Sequence, residues 1–421
     1  MNNTQSDSGA VGILVGGGPA PGINGVIGAA AIRSIRAGRP VVGIEEGFKW
    51  IMQGDTTKSR PLRIEEISRI HFRGGSYLKT ARANPTKNPA HLENAVGALL
   101  RLGITGLITI GGDDTCFSAL SLERAAKGRL RVVHVPKTID NDLDLPPGVP
   151  TFGFQTARHL GTQIVENILE DAWTTSRWFF VVAMGRNAGH LALGIGKAAG
   201  ATLTLIPEEF RQRPIKLSTL ADILAGAIIK RLSAGREDGV AVLAEGLAEA
   251  MDPTDLSQLE NVERDEHGHI ALAEINLGEI LRREVLKRLA PFKIRPLIRQ
   301  RDLGFELRCA DPIPFDMEYT RDLGYSAASC VLRGDTGVMV SFINGQCNPI
   351  PFDKILDPST GRTRVRMVDV TSESYRIARA YMVRLEAEDL AEADSLEKYA
   401  ALTGLTPQGF RERFAHTAPR P

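Results

Sequence analysis

Gly111-Gly112-Asp113-Asp114-Thr115 is the stretch of sequence that decides the fold. Residues 103–110 before it are apolar and β-branched over the length of a buried strand. After it, apolar residues recur at helical spacing from Thr115 to Lys127. The pattern therefore places two carboxylates where a strand ends and a helix begins, and open α/β sheets bind their ligands at that point.

A second stretch, Pro136-Lys137-Thr138-Ile139-Asp140-Asn141-Asp142, repeats this arrangement after a predicted strand at 131–135. If the two strands are neighbours, four carboxylates and one ammonium converge at their ends, those of Asp113, Asp114, Asp140, Asp142 and Lys137. Carboxylate oxygens suit Mg²⁺, and Mg²⁺ with an ammonium suits phosphate. The sequence predicts a site for both.

The bulk composition describes an ordinary globular protein. The 421 residues suffice for two domains, and the net charge of +1 gives no general attraction for nucleic acid or an acidic membrane surface. The four cysteines lack Cys-x-x-Cys spacing, so neither a zinc site nor a disulfide framework is indicated. A polar amino terminus and the lack of an apolar run of about 18 residues argue against a signal peptide and a membrane span. We expect a cytoplasmic enzyme with reduced thiols.

Two glycine-bearing loops are candidate anion sites. Gly16-Gly17-Gly18-Pro19-Ala20-Pro21-Gly22 lies between a predicted strand at 11–15 and a helix, where backbone N–H groups can approach a phosphate. No Gly-Lys-Ser/Thr follows, so this is not a Walker loop, and a simple tight turn is an equal alternative. The loop at 71–82 is rich in cations; it is either a solvated surface loop or a phosphate site using Arg82 and Lys79.

The second half of the chain predicts a second α/β unit. Strands predicted at 177–183, 202–206 and 239–244 each end in glycine or charge. The proline-rich stretch 146–150 indicates a domain boundary. The predicted domains are residues 1–150, rejoined by about 309–345, then residues 151–308, and a mostly helical C-terminal extension at 346–421 with one helix over 373–390. The arginines between 295 and 308 form either a salt-bridged surface or a phosphate clamp.

Six motifs, in order, carry a family resemblance. They are Gly-Gly-Gly-Pro-Ala-Pro-Gly-Ile-Asn at 16–24, Gly-Gly-Asp-Asp at 111–114, Pro-Lys-Thr-Ile-Asp-Asn-Asp at 136–142, Met-Gly-Arg at 184–186, Ala-Glu-Gly at 244–246 and Leu-Gly-x-x-x-Arg at 303–308. From about Val11 to about Leu332 the chain resembles the 6-phosphofructokinases. The resemblance implies two doubly wound (Rossmann-like) α/β domains facing across a cleft that holds the active site. It also implies Mg²⁺-dependent phosphoryl transfer to the 1-hydroxyl of fructose 6-phosphate.

The same resemblance implies a role for individual residues. Asp140 would be the general base, Asp113 would hold Mg²⁺, and Asp142 would assist at the metal or the base. The donor contacts would be Gly17, Gly18 and Arg82. Lys79 departs from the family pattern, and its alternatives are an added phosphate contact or a side chain that reaches solvent. The sugar-phosphate pocket would comprise Thr138, Ile139, Asp140, Met184, Gly185, Arg186, Glu245, Phe305 and Arg308. Arg177 and Arg299 match arginines that reach the sugar phosphate from a neighbouring subunit, which implies a homodimer or homotetramer.

The identity of the donor depends on Asp114 and Lys137, because ATP-using members of this family commonly carry glycine at both positions. A carboxylate at position 114 would meet the α-phosphate of ATP. Two unit charges about 4 Å apart at an effective dielectric near 20 repel by about 4 kcal/mol. Pyrophosphate stops short of that position, and Lys137 could neutralise its charge. The alternatives are a helix N-cap for Asp114 and a surface ammonium for Lys137. We predict pyrophosphate as the donor.

Two departures from the family pattern affect the sugar site. Phe305 stands where the family usually has Tyr or His, and Lys79 stands where it usually has Gly. Either change could favour a longer sugar such as sedoheptulose 7-phosphate. The rival interpretations are an ATP-dependent 6-phosphofructokinase, a kinase of the NAD or lipid class, which shares only the Gly-Gly-Asp loop, and a non-catalytic sugar-phosphate binder.

Overall fold

A computed structural model describes residues 9–257, 275–359 and 363–418. Its strands are β1 (Ala10–Val15), β2 (Val41–Ile44), β3 (Ser59–Pro61), β4 (Ile104–Gly111), β5 (Arg131–Thr138), β6 (Phe152–Gly153), β7 (Trp178–Ala183), β8 (Leu203–Leu205), β9 (Gly239–Ala244), β10 (Ile298–Leu303), β11 (Val338–Ile343) and β12 (Gln346–Pro351).

The helices of the first half are α1 (Ile23–Arg36), α2 (Ile64–Ile67), α3 (Pro89–Arg101), α4 (Asp113–Ala126), α5 (Phe154–Thr174), α6 (His190–Ala199), α7 (Leu217–Ser233) and α8 (Gly246–Ala250). The later helices are α9 (Pro253–Ser257), α10 (Leu277–Leu289), α11 (Phe305–Arg308), α12 (Pro314–Arg333), α13 (Phe352–Ile355), α14 (Glu373–Ala380), α15 (Ala387–Ala391), α16 (Ala393–Thr403) and α17 (Pro407–Phe414).

The chain divides into two compact units, each built from two separate segments. Among the described residues, unit 1 contains those up to Ala157 and then Phe305–Arg366. Unit 2 contains Arg158–Gly304 and the residues from Met367 onward. The predicted C-terminal extension at 346–421 is thus divided between the two units.

Unit 1 is organised around one sheet with helices on both faces. The strand order is β12-β11-β5-β4-β1-β2-β3, in which β1, β2, β4, β5 and β11 run parallel and the two edge strands run antiparallel. Alternate residues of β1 point to opposite faces, as a pleated strand requires. Ile13 packs in one core with α1 and α12, whereas Leu14 packs in the other with α3 and α4.

The connections of this sheet reverse direction beside β1. After β1 the chain moves to β2 on one side, and after the excursion through β3 it returns to β4 on the other side. The carboxyl ends of β1 and β4 therefore form the topological switch point, where loops diverge and leave room for a ligand. The two motifs at 16–24 and 111–114 lie at this point.

Helices α1 and α12 approach each other very closely. A Cβ at Gly25 would lie 2.2 Å from the Thr320 hydroxyl oxygen, and one at Gly324 would lie 2.5 Å from the Val26 carbonyl oxygen. The two glycines permit backbone and side-chain atoms to meet where alanine would collide.

Unit 2 contains a parallel four-stranded sheet in the order β10-β7-β9-β8. Trp178, Phe180 and Leu243 belong to a core that includes α7, α10 and side chains of the C-terminal helices. Helix α6 also packs against β8 and β9. The mixed α/β fold with parallel sheets that the sequence predicts is confirmed by both units.

Several details of the secondary-structure prediction are wrong. The helix predicted over 373–390 is two helices, α14 and α15, because the chain between them makes tertiary bonds: the Val383 amide donates to the Thr202 carbonyl (2.7 Å), and Arg384 forms a buried ion pair with Glu209 (2.6 Å). Strand β10 was not predicted. The loop predicted at 251–273 contains helix α9, and its later part lies outside the described residues.

Candidate active site

The carboxyl ends of three adjacent parallel strands form the candidate site in unit 1. The Gly16 amide donates to the Ile110 carbonyl (2.9 Å), which joins the glycine loop after β1 to the end of β4. Gly111 at the end of β4 pairs with Pro136 in β5. The three motifs that begin at Gly16, Gly111 and Pro136 are thus separated in the sequence but lie side by side at the ends of neighbouring strands.

Glycine is required where these loops meet the first turn of α4. A Cβ at Gly16 would lie 2.5 Å from the Thr115 hydroxyl oxygen, and one at Gly111 would lie 2.3 Å from Thr115 Cβ. Neither distance is possible without displacing the helix. The two glycines therefore allow α4 to begin directly against the loop after β1.

Three cations surround the glycine loop. Lys137 is only 5% exposed, and its ammonium donates to the Gly18 carbonyl. A Cβ at Gly17 would lie 3.5 Å from Lys137 Nζ, and one at Gly18 would lie 3.0 Å from Arg308 Nη1 and 4.0 Å from Arg82 Nη2. The surface-ammonium alternative for Lys137 is therefore wrong, and the loop has the positive lining that a phosphate requires.

The surroundings of Lys137 also change its titration. Burial lowers the pKa of its ammonium to about 8, and the positive charges of Arg308 and Arg82 act in the same direction. The carboxylates of Asp140 and Asp142 oppose this and raise the pKa. Lys137 thus lies within electrostatic range of both cations and both carboxylates.

The carboxylates predicted to bind metal or accept a proton lie close together. Burial raises the pKa of Asp142, and the neighbouring charge of Asp113 raises it further, whereas a hydrogen bond from Thr138 lowers it. The Thr138 hydroxyl also accepts a hydrogen bond from the Asp140 amide (3.0 Å). Ile139 between them is buried, at 4% exposure. The end of β5 therefore carries polar side chains at positions 138, 140 and 142, and the apolar side chain of Ile139 between the first two is buried.

Asp114 lies in the first turn of α4 and is exposed. The N-cap position of this helix belongs to Gly112, so the interpretation of Asp114 as an N-cap is wrong. Its carboxylate adds negative charge beside the loop at the positive end of the helix dipole.

Lys79 and Phe305 lie at the surface of unit 1. Lys79 is exposed. The pKa of Glu46 is lowered mainly by a hydrogen bond from Lys49, and the positive charge of Lys79 lowers it further. Phe305 is 76% exposed, and the guanidinium of Arg308 lies 4.7 Å from its ring centroid. A cation–π contact of this kind attracts the Arg308 guanidinium to the face of the Phe305 ring.

His134 is a residue of this site that the sequence analysis missed. It is fully buried in β5; its Nδ1 pairs with the Thr109 hydroxyl (2.8 Å) and its Nε2 with the Gly111 carbonyl (3.0 Å). Burial lowers its pKa to about 3, so the ring is neutral and structural. A polar residue within the apolar run 131–135 was the available signal.

The residues predicted for the sugar in unit 2 lie at the carboxyl ends of β7 and β9. The Gly185 amide donates to Glu245 Oε2 (3.1 Å), and the Gly246 amide donates to the Gly185 carbonyl (3.1 Å). Gly185 has a φ of 148°, which favours glycine. Met184, Gly185, Arg186 and Glu245 are therefore brought together.

Arg177 and Arg299 lie at the other end of the same strands. Arg177 precedes β7, and Arg299 pairs with Phe179 near the start of β7. Because a strand rises about 3.3 Å per residue, roughly 20 Å separates Arg299 from the level of Gly185 within one chain, and roughly 26 Å separates Arg177 from it. They cannot join the Met184–Arg186 loop of their own chain.

Among the described residues no group of three or more His, Cys, Asp or Glu side chains could hold a metal ion by itself. Asp113 and Asp142 nevertheless fit Mg²⁺, which is usually bound by one or two carboxylates with substrate phosphates and water.

No helix in the described parts of the chain is long and apolar enough to span a membrane.

Known proteins are similar to this chain over the residues that contain these motifs. The phosphofructokinase family model matches residues 10–331. The pyrophosphate--fructose 6-phosphate 1-phosphotransferase of Thermotoga maritima is 52% identical over 98% of this chain and 99% of its own length. The enzyme of the same name from Naegleria fowleri is 47% identical over 96% and 95%. The pyrophosphate-dependent phosphofructokinase structure from Marinobacter aquaeolei shares the fold, with a TM-score of 0.66 at 16% identity over 94% of this chain and 91% of that one.

Proposed function

The chain belongs to the phosphofructokinase family, and we propose that it catalyses the reversible, Mg²⁺-dependent transfer of a phosphoryl group from pyrophosphate to the 1-hydroxyl of D-fructose 6-phosphate. The products are fructose 1,6-bisphosphate and phosphate, and the reaction is a step of glycolysis.

The observation that carries the choice of donor is the buried ammonium of Lys137 at the Gly17–Gly18 loop, with Arg82 and Arg308 beside it. Pyrophosphate is small and highly charged, so it needs several cations close together. Asp114 supports the same choice because its carboxylate adds repulsion for a longer donor at the start of α4. We assign the donor contacts to Gly17, Gly18, Arg82 and Lys79.

The chemical step uses the loop after β5. The carboxylate of Asp140 accepts the proton of the sugar 1-hydroxyl as the new P–O bond forms. Asp113 would hold Mg²⁺, with Asp142 assisting, and the bound ion supplies charge neutralisation on the transferring phosphoryl group. Lys137 stabilises the charge on the leaving phosphate. The hydrogen bond from Lys137 to the Gly18 carbonyl supports this role.

The roles in binding the sugar phosphate are assigned within each unit separately. In unit 1 they belong to Thr138, Ile139, Phe305 and Arg308, and in unit 2 to Met184, Gly185, Arg186 and Glu245. Arg177 and Arg299 would serve the pocket of a second copy of the chain, since the strand geometry keeps them away from their own Gly185. A homodimer or homotetramer in the cytoplasm is therefore proposed.

A two-donor assay tests this function. The purified protein is supplied with Mg²⁺, fructose 6-phosphate and either pyrophosphate or ATP, and fructose 1,6-bisphosphate is measured. We expect pyrophosphate to be preferred by about a hundredfold in kcat/KM, which corresponds to about 2.7 kcal/mol. Turnover with ATP above that with pyrophosphate would refute the donor assignment. Parallel arms with sedoheptulose 7-phosphate decide between the two sugars, and Asp140→Ala is the inactive control.

A further inference from the structure

The catalytic loop after β5 is braced by a segment far away in the sequence. Leu143 forms an antiparallel bridge with Val365, and the Arg366 amide donates to the Asp142 carbonyl (2.7 Å). Both segments belong to unit 1. The bracing segment lies beyond residues 10–331, where the family model ends.

The side chain of Arg366 forms hydrogen bonds near both ends of the loop, at Asn141 and at Val149. Its Nε donates to the Asn141 carbonyl (3.0 Å), and its Nη1 donates to the Val149 carbonyl (2.8 Å). Its Nη2 donates to Asn141 Oδ1. All three guanidinium nitrogens therefore bond to one loop, and a lysine could not reproduce this planar arrangement.

Asn141 is the non-glycine residue of the loop with a left-handed backbone. Its φ is 56°, a conformation that non-glycine residues seldom adopt and that asparagine adopts more readily than most. It lies between Asp140 and Asp142, so its backbone conformation sets the directions in which the two carboxylates leave the chain. The Thr151 amide also donates to Asn141 Oδ1 (3.0 Å), which fixes its side chain from a second side.

We propose that Arg366 is a positioning residue for phosphoryl transfer: it holds Asn141 in its left-handed conformation and thereby orients Asp140 toward the acceptor hydroxyl. This inference rests on the proposed function of Asp140. In this proposal Arg366 acts through its bonds to the loop and not through contact with a reactant.

Arg364 provides a matched control two residues away. It belongs to the same segment and forms a salt bridge with Asp144 (2.7 Å), with about half of its side chain (48%) exposed. Its guanidinium also bonds to the Lys354 carbonyl. Arg364→Ala therefore removes an arginine and an ion pair from the same segment without removing a bond to Asn141.

The experiment compares Arg366→Ala, Arg366→Lys and Arg364→Ala in the full chain, with whichever donor supports turnover in the unaltered protein. For both Arg366 variants we expect kcat to fall by about a hundredfold, since small misplacement of a reacting group has that effect, with KM for both substrates changed by less than about threefold. Methylguanidinium should restore part of the activity of Arg366→Ala. Arg364→Ala should keep kcat within about threefold.

Hydrogen exchange gives a second result that needs no turnover. Amides of residues 139–150 should exchange at least about tenfold faster in Arg366→Ala than in Arg364→Ala, because the loop opens locally at lower free energy. Unchanged exchange, or a kcat within about threefold of the unaltered protein in folded Arg366→Lys, would overturn the proposal. Failure of the donor assignment would appear separately, in the unaltered protein assayed with ATP.

Discussion

Lys137 offers the sharpest test of how the donor is bound. We predict that Lys137→Gln lowers kcat/KM for pyrophosphate by roughly 10- to 150-fold, because a hydrogen bond to a charged group contributes about 1.5–3 kcal/mol. Burial lowers the pKa of this ammonium to about 8, and the protonated form is the one that attracts the donor. In the unaltered protein kcat/KM should therefore fall as the pH rises above about 8, because kcat/KM reports groups of the free enzyme.

The Gln variant should lack this basic limb in initial-rate measurements between about pH 6.5 and pH 9.5. Ionisation of pyrophosphate is common to all variants and cancels in the comparison. Arg82→Gln is the matched control: it removes an exposed cation beside the same glycine loop but leaves Lys137 in place, so its rate should be lower with the basic limb retained. A basic limb at the same pH in Lys137→Gln would show that another group titrates and would refute the reasoning.

Three further perturbations test other parts of the site. The double variant Asp114→Gly with Lys137→Gly should raise kcat/KM for ATP by about 5-fold to several hundred-fold. The reason is that Asp114 is exposed, so its repulsion of a phosphate about 4 Å away lies between about 1 and 4 kcal/mol. An unchanged donor preference in the two-donor assay would contradict this. Asp140→Asn should lower kcat by about 10²- to 10⁴-fold while calorimetry shows fructose 6-phosphate still bound, and a rate near that of the unaltered protein would exclude Asp140 as the base. The pKa of buried His134 is about 3, below the ordinary value of 6.5, so the unfolded state takes up a proton first as the pH falls. Stability should therefore drop by about 1.4 kcal/mol per pH unit from about pH 6 to pH 3, and His134→Gln should reduce this slope in urea denaturation; an equal slope would assign it to other groups.

The sequence predicted the parts of the site that depend on local pattern. The buried strands before Gly111 and Pro136 have continuous apolar runs, and the chemistry follows at their ends, so β4, β5 and their loops were found with nearly correct bounds. Strand β10 was missed because it lies at a sheet edge with exposed Arg-Gln-Arg-Asp in its centre. Its stability comes from backbone pairing with β7, which leaves no apolar pattern.

Contacts between distant segments were beyond the reach of the sequence. Arg366 bonds to Asn141 at a sequence separation of 225 residues, and nothing in the local sequence of either residue indicates the other. Likewise, the break between α14 and α15 depends on the bond from the Val383 amide to the carbonyl of Thr202, which directly precedes β8. The predicted cleft and the assigned roles of the site residues stay predictions.

The close packing of α1 against α12 has a consequence for how the protein is made. During translation α1 emerges early, whereas α12, which covers its apolar side, is synthesised only after most of the chain. Strand β5 likewise waits for its partner β11. A nascent chain released before residue 314 would expose this surface, so we expect ribosome-bound intermediates of unit 1 to need chaperone protection until the second segment arrives.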